Sequence, residues 1–252
     1  MSTVIPSPAA VSPLSPAARA LRWYREAMRL WRRTPFLMVG LCLISLLVEG
    51  LLQLIPWAGV VVSKLIAPML AAGIWLGLEQ LQHGGQLRFS CLWAAWRQPR
   101  WLGLWAVSAS VGVVVFGFQL ACVTAGFGRA AIDVVLFGHM AAHPALQSRT
   151  FELALMLPGL LPATLLAFAV PLRLFRFASY LQALSGSLRL VASAPTAIVL
   201  AMLPQLGLFV LALISAWTAP LLLVLLPLGT LVSYTAWRDF SAAVGAFGDT
   251  RG

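Results

Sequence analysis

Six apolar runs, each about twenty residues long, constrain this chain more than any other feature. About 20 apolar residues in a helix span the roughly 30 Å hydrocarbon core of a bilayer. Inside a bilayer the backbone polar groups have no water to bind, and a helix satisfies them internally. The sequence therefore predicts an all-α, six-helix transmembrane bundle forming one membrane domain over residues 17–240. The predicted transmembrane helices are residues 36–57, 58–78, 102–127, 153–172, 196–215 and 219–237.

The composition excludes most soluble protein classes. Of the 252 residues, 61% are hydrophobic and 10% are charged, whereas a soluble domain carries about 25% charged residues. Polar surface is therefore too scarce to cover a soluble enzyme or a secreted disulfide scaffold. Residues 1–16 are rich in proline and serine and carry no charged side chain. We expect them to form a disordered tail rather than a secretory signal.

The placement of the arginines predicts the orientation in the membrane. The formal net charge is +10, from 17 basic and 7 acidic residues. Fourteen of the 17 basic residues fall in the N-terminal segment, the loops after the second and fourth runs, and the C-terminal segment. Cytoplasmic segments carry such an excess. We therefore expect a multi-pass protein of the bacterial inner membrane with both termini cytoplasmic, including a cytoplasmic tail at residues 241–252. Because the arginines flank apolar runs, no nucleic acid partner is expected.

Residues 17–34 have the pattern of an amphipathic helix lying at the membrane interface. An apolar stripe recurs every three or four residues, and it consists of Leu21, Tyr24, Met28 and Trp31. Arginines occupy the other side, where the anionic headgroups of the inner leaflet would attract them. Trp23 and Leu30 fall on this basic side, where packing against the protein would explain them. The residues expected at the lipid interface are Arg19, Arg22, Arg29, Arg33 and Trp31.

The spacing of prolines favours a parallel internal repeat. An Arg-Leu pair precedes both Pro35 and Pro195 at the same distance. A second proline follows each of them 33 and 32 positions later, at Pro68 and Pro227. Because four spans separate the two copies, they would share one orientation and be related by an axis along the membrane normal.

Ionisable residues within the apolar runs are costly in a bilayer and are the first candidates for a functional site. Glu49 and Lys64 lie at similar distances from the turn between the first two runs, so an ion pair across this hairpin is expected. Gln53 lies one helical turn from Glu49, and Gln119 is expected at a similar depth. This candidate polar cluster is either a cavity that contacts a solute, ion or proton, or an internal network that holds the bundle together.

Two other patterns have a structural interpretation beside a functional one. Gly73 and Gly77 form a GxxxG motif, which serves either packing within the chain or a homodimer interface. His139 and His143 have i,i+4 spacing, but they need a third ligand to bind a metal, and chance spacing explains them better. The sequence contains no motif of a catalytic site. No catalytic residue, metal or cofactor is therefore expected.

Four segments carry a resemblance to a known family, and they read WYREAMRLWRRTPFLMVG, LIPWAGVVVSKLIAPMLAAGIWLG, SGSLRLVASAPTAIV and LLPLGTLVSYTAWRDF. Through them the chain, from about residue 18 to residue 240, resembles an uncharacterised family of multi-pass inner-membrane proteins from proteobacteria. It is also distantly similar to the membrane domain of some glycerophosphodiester phosphodiesterases. The resemblance implies six helices and an inner-membrane location, and it transfers no activity and no functional residues.

Two functions remain open at this point. The first is a non-enzymatic integral membrane protein with an accessory or organising role, whose partners are the bilayer, its anionic headgroups and a membrane protein or second copy. The basic interfacial helix favours this function. The second is a small-solute permease or exporter with a polar site near Glu49, Gln53 and Lys64. The repeat and the prolines within the apolar runs favour it.

Overall fold

The described part of the chain is helical, with short connections. The computed structural model describes residues 14–55, 58–139, 142–214 and 217–248, and within them no strand occurs. The α-helices are α1 Pro16–Arg33, α2 Pro35–Gln53, α3 Gly59–Gln82, α4 Trp101–Phe127, α5 Ala130–Phe137, α6 Arg149–Met156, α7 Leu160–Leu165, α8 Ala169–Arg176, α9 Tyr180–Ser193, α10 Pro195–Ile214 and α11 Leu222–Gly248. Short 3-10 turns lie at Phe89–Trp93, Pro144–Leu146, Leu157–Gly159 and Ala219–Leu221. The predicted all-α class is confirmed.

Five helical segments are long and apolar enough to cross a membrane. They are Pro35–Gln53, Gly59–Gln82, Trp101–Phe127, Arg149–Arg176 and Pro195–Ala212. These segments coincide with the first five predicted runs and confirm a multi-pass membrane architecture. The sixth run forms the first part of α11, which is not among the five. Large apolar side chains on the outside of the bundle, such as Leu47, Leu51 and Val113, are exposed, as a surface facing lipid requires.

The fourth predicted span, residues 153–172, is a chain of short helices. Pro158 and Pro162 have no backbone N–H to donate, so a continuous α-helical ladder cannot form. α6 ends at Met156, and a 3-10 turn over Leu157–Gly159 leads into α7. The segment is therefore divided into α6, the 3-10 turn, α7 and α8 rather than forming one continuous helix.

The two ends of the chain differ from each other. The predicted tail at residues 241–252 is helical as far as Gly248, because α11 is held beyond its apolar part. Phe240 is buried against the ring of Phe168, with ring centroids 5.2 Å apart, and Arg176 donates to the Ser241 carbonyl at 2.8 Å. Of the predicted tail at residues 1–16, residues 1–13 lie outside the described part, and Pro16 begins α1.

α3 is the most buried of the five spans. In its most apolar stretch 44% of the residues are buried, against 17 to 28% in the other four. Its GxxxG face packs against the chain's own loop between α3 and α4. A Cβ added at Gly73 would lie 2.5 Å from the Leu92 carbonyl oxygen, and one at Gly77 would lie 2.8 Å from Cys91 Sγ. Glycine is needed here because the loop backbone touches the helix, so the motif serves packing within the chain.

Candidate functional site

The structure brings three of the four predicted polar residues together on the α2–α3 hairpin. Lys64 Nζ forms an ion pair with Glu49 Oε1. Gln53 Nε2 donates to the same oxygen at 3.4 Å and to Ser63 Oγ at 3.4 Å. The Glu49 and Lys64 side chains are 24% and 30% exposed, so the pair lies at the side of the bundle rather than in its core. The cluster satisfies its own charges and hydrogen bonds.

The close approach of α2 and α3 positions this cluster. A Cβ on Gly59 would collide with the Leu52 carbonyl oxygen. Only glycine therefore allows α3 to begin so near the end of α2. Once the hairpin is this tight, Glu49 and Lys64 lie within ion-pair distance across it.

Gln119 does not join the cluster. Its Nε2 donates to the Met156 carbonyl at 3.4 Å, beside the break between α6 and α7. At that break the Leu160 N–H bonds to the carbonyls of Leu157 and Pro158, so the Met156 carbonyl lacks the α-helical bond from Leu160 and accepts from the 3-10 turn instead. Backbone polar groups at hydrocarbon depth need partners from the protein, because no water is available there. Gln119 therefore serves the broken helix.

A second polar site lies at the other end of the bundle, and sequence reasoning missed it. Asp239 of α11 forms ion pairs with Arg19 and Arg22 of α1. It also accepts a hydrogen bond from Trp23 Nε1 at 3.1 Å. The Arg19 guanidinium lies 4.7 Å from the centre of the Phe240 ring, a cation–π distance. We call these contacts of Asp239 with Arg19, Arg22 and Trp23 the Asp239 clamp.

The Asp239 clamp corrects the expectation for Arg19. This residue is not at a lipid interface, because only 2% of it is exposed. Burial, together with the neighbouring charge of Arg22, lowers the pKa of Arg19 to about 10. It therefore remains charged at neutral pH, and the Asp239 carboxylate compensates that charge. Of the other predicted interface residues, Arg29 and Arg33 are exposed, whereas Arg22 and Trp31 are half-buried.

α1 is also rotated relative to the prediction. Its buried face includes Trp23 and Leu30, the two residues that the sequence placed on the basic side. Thr235 Oγ1 donates to the Trp23 carbonyl at 3.0 Å, and Tyr24 donates to the Ala201 carbonyl at 2.6 Å. In the predicted apolar stripe, Leu21 and Met28 are exposed. α1 is thus bound to α10 and α11 on one side and keeps apolar and basic side chains outside.

The opposite end of the bundle carries less free charge. Arg149 forms an ion pair with Glu152 at 2.7 Å, and His143 lies 3.8 Å from Asp133. The ring of His139 instead lies 6.0 Å from that of Phe137. The two histidines therefore do not share a partner. Within the described residues, no group of three histidine, cysteine or acidic side chains could hold a metal ion.

Comparison with known proteins does not add a function. No family model, curated protein or solved structure matches this chain. Function therefore has to be inferred from the two polar sites and from the distribution of charge around them.

Proposed function

We propose that this chain is a non-enzymatic, multi-pass protein of the bacterial inner membrane with an accessory or organising role. The Asp239 clamp is the observation that carries this proposal. It fixes α1 to the bundle, while Arg25, Arg29, Arg32 and Arg33 stay exposed. A fixed basic helix beside the membrane suits a protein that holds a membrane partner or anionic lipid at one place.

The Asp239 clamp also supports six spans with both termini cytoplasmic. α1 precedes the first span, and Asp239 follows the apolar part of α11. Because their side chains are in contact, the chain has to cross the membrane an even number of times between them. Five apolar spans and α11 make six. The excess of arginine on the same side supports its assignment to the cytoplasm.

The proposed parallel repeat has support at two places. Thr34 before Pro35 has φ −147° and ψ 53°, and Ala194 before Pro195 has φ −147° and ψ 52°. Each proline thus begins a helix after the same backbone bend. In addition, Glu79 and Asp239 each follow their proline by 44 positions. We propose that α1–α3 and α9–α11 are the two copies.

The alternative is a small-solute permease or exporter with its site near Glu49, Gln53 and Lys64. The partial exposure of the Glu49–Lys64 pair favours it. Against it, the pair and Gln53 use their polar groups on one another, whereas a transport site offers such groups to a solute. We therefore rank the organising role first.

Two experiments test the proposal. Alkaline phosphatase fused after Gly138 should be active, and the same enzyme fused after Ala242 should be stable and inactive. The reverse pattern would overturn the orientation.

For the organising role, a photo-crosslinking amino acid placed at position 25 instead of Arg25 should give discrete protein adducts in living cells. The same amino acid at position 113, where Val113 faces lipid, should not. The adducts should weaken when Asp239 is replaced by Asn, and an absence of adducts from Arg25 would contradict an organising role.

A further inference from the structure

A basic cleft opens beside the Asp239 clamp, between α1, the end of α3 and α11. Its volume is about 430 Å³, within the roughly 300–1,000 Å³ range of small-ligand sites. The charged and amide side chains that line it are Arg22, Glu26, Arg29, Arg33, Gln82, Arg238 and Asp239. We call this the α1 cleft.

Three arginines of the α1 cleft have no acidic partner. Asp239 is already bound by Arg19 and Arg22. Within the described residues, Arg29, Arg33 and Arg238 form no ion pair. With Glu26 and Asp239 counted, the four arginines that line the α1 cleft still outnumber its carboxylates by two, and a bound anion would relieve the remaining repulsion.

The arrangement of the arginines fits a phosphate group. Arg29 and Arg33 are one helical turn apart on the same face of α1, and Arg238 reaches the α1 cleft from α11. The planar guanidinium group offers paired N–H donors that match phosphate oxygens. Gln82 adds an uncharged amide donor. The site thus combines charge with donors from three separate helices.

The surroundings point to a membrane lipid as the source of the phosphate. Arg33 lies two residues before Pro35, where the first span begins. Phe36 is 90% exposed at that entry point, and Leu21 and Met28 are exposed along α1. Arginine beside exposed apolar side chains is typical of helices at headgroup depth.

We infer that Arg29, Arg33 and Arg238 bind the phosphate of an anionic phospholipid headgroup. The inference deepens the proposed function and rests on it for the leaflet, since a cytoplasmic α1 meets the inner leaflet. Binding at the α1 cleft would hold one lipid at a fixed place. This differs from a diffuse attraction between the arginines and a charged surface.

Native mass spectrometry of the full chain in detergent tests the inference. With phosphatidylglycerol added, the unaltered protein should retain one lipid more strongly than with phosphatidylcholine. The double variant R33Q/R238Q should bind it at least about tenfold more weakly, because two charge-assisted contacts are lost. The control R97Q/R189Q removes the same charge from exposed positions outside α1 and outside the cleft and should bind like the unaltered protein. Circular dichroism checks that both variants keep their helices.

Three outcomes would count against a lipid site at the α1 cleft. Equal weakening by the two double variants would overturn the site, because charge alone would then explain binding. Unchanged binding in R33Q/R238Q would overturn it as well. A competition arm uses inorganic phosphate: displacement of the lipid at millimolar phosphate would reassign the α1 cleft to free phosphate, and resistance to it supports the lipid. None of these results changes the outcome expected from the alkaline phosphatase fusions or from the crosslinking at position 25. Failure of the lipid site and failure of the proposed function are therefore distinguishable.

Discussion

Replacing Asp239 with Asn should undo the attachment of α1 to the bundle. The asparagine side chain has the same size, but it carries no charge and turns one acceptor oxygen into a donor NH₂ group. That group would face the N–H donors of Arg19 or Arg22. Arg19, which is 2% exposed, would remain as a buried charge without its partner.

The expected loss of stability depends on the burial of the two arginines that Asp239 binds, Arg19 and Arg22. Removing one partner of a buried ion pair costs about 3–5 kcal/mol. Arg22 is 36% exposed and can turn to water, so its share is at most about 1 kcal/mol. We therefore expect Asp239→Asn to lower stability by about 3–5 kcal/mol and Arg22→Gln by no more than about 1 kcal/mol.

A double-mutant cycle in mixed micelles measures this. Unfolding by increasing SDS fraction gives the free energy for the single variants Asp239→Asn and Arg19→Met and for the pair. Because replacing both partners removes the orphaned charge, the pair should cost less than the sum of the singles. Additive costs, or a loss below about 1 kcal/mol for Asp239→Asn, would refute the claim that this contact holds α1.

Three smaller predictions concern the rest of the bundle. Glu49→Gln and Lys64→Gln should each cost about 1–2 kcal/mol in the same assay, and the double variant should cost less than their sum; additivity would contradict the pairing. Gly73→Ala should cost about 1–3 kcal/mol by overpacking the adjacent loop. It should also speed maleimide labelling of Cys91, because burial raises the pKa of that thiol to about 11 and the loop keeps it covered. Gln119→Leu should cost about 0.5–1.5 kcal/mol by removing its hydrogen bond to the Met156 carbonyl, and a neutral result would contradict a role for Gln119 at the break.

The chain offers a matched control for the glycine substitution. Gly117 lies in α4, and a Cβ there would meet nothing within 4 Å. Gly117→Ala should therefore leave both stability and Cys91 labelling unchanged. A similar effect of both substitutions would mean that close packing against the loop is not what requires glycine at position 73.

The sequence predicted those features whose causes are local. A run of apolar residues forms a helix of known length, so the first five spans coincide with the runs. Pro35 and Pro195 begin helices because proline fixes its own backbone angle. The Glu49–Lys64 contact was predictable because a short turn joins their helices and leaves few arrangements.

Contacts between distant parts of the chain were not predictable in the same way. Gln119 was placed by depth alone, and depth does not set which neighbour a helix face meets. The Asp239 clamp joins residues more than two hundred positions apart, and it depends on the rotation of both α1 and α11. The one available signal was Trp23 and Leu30 on the basic side of α1, which indicated that this side is covered by protein.

By itself, the sequence determined that this is an all-α membrane protein, because the bilayer requires long apolar helices whatever their neighbours are. It also concentrated the arginines in segments of one predicted side. Only the tertiary structure decided which arginines are buried and which stay free. That division depends on where Asp239 lies, since its carboxylate forms ion pairs with Arg19 and Arg22 and leaves Arg29, Arg33 and Arg238 unpaired around an open cleft.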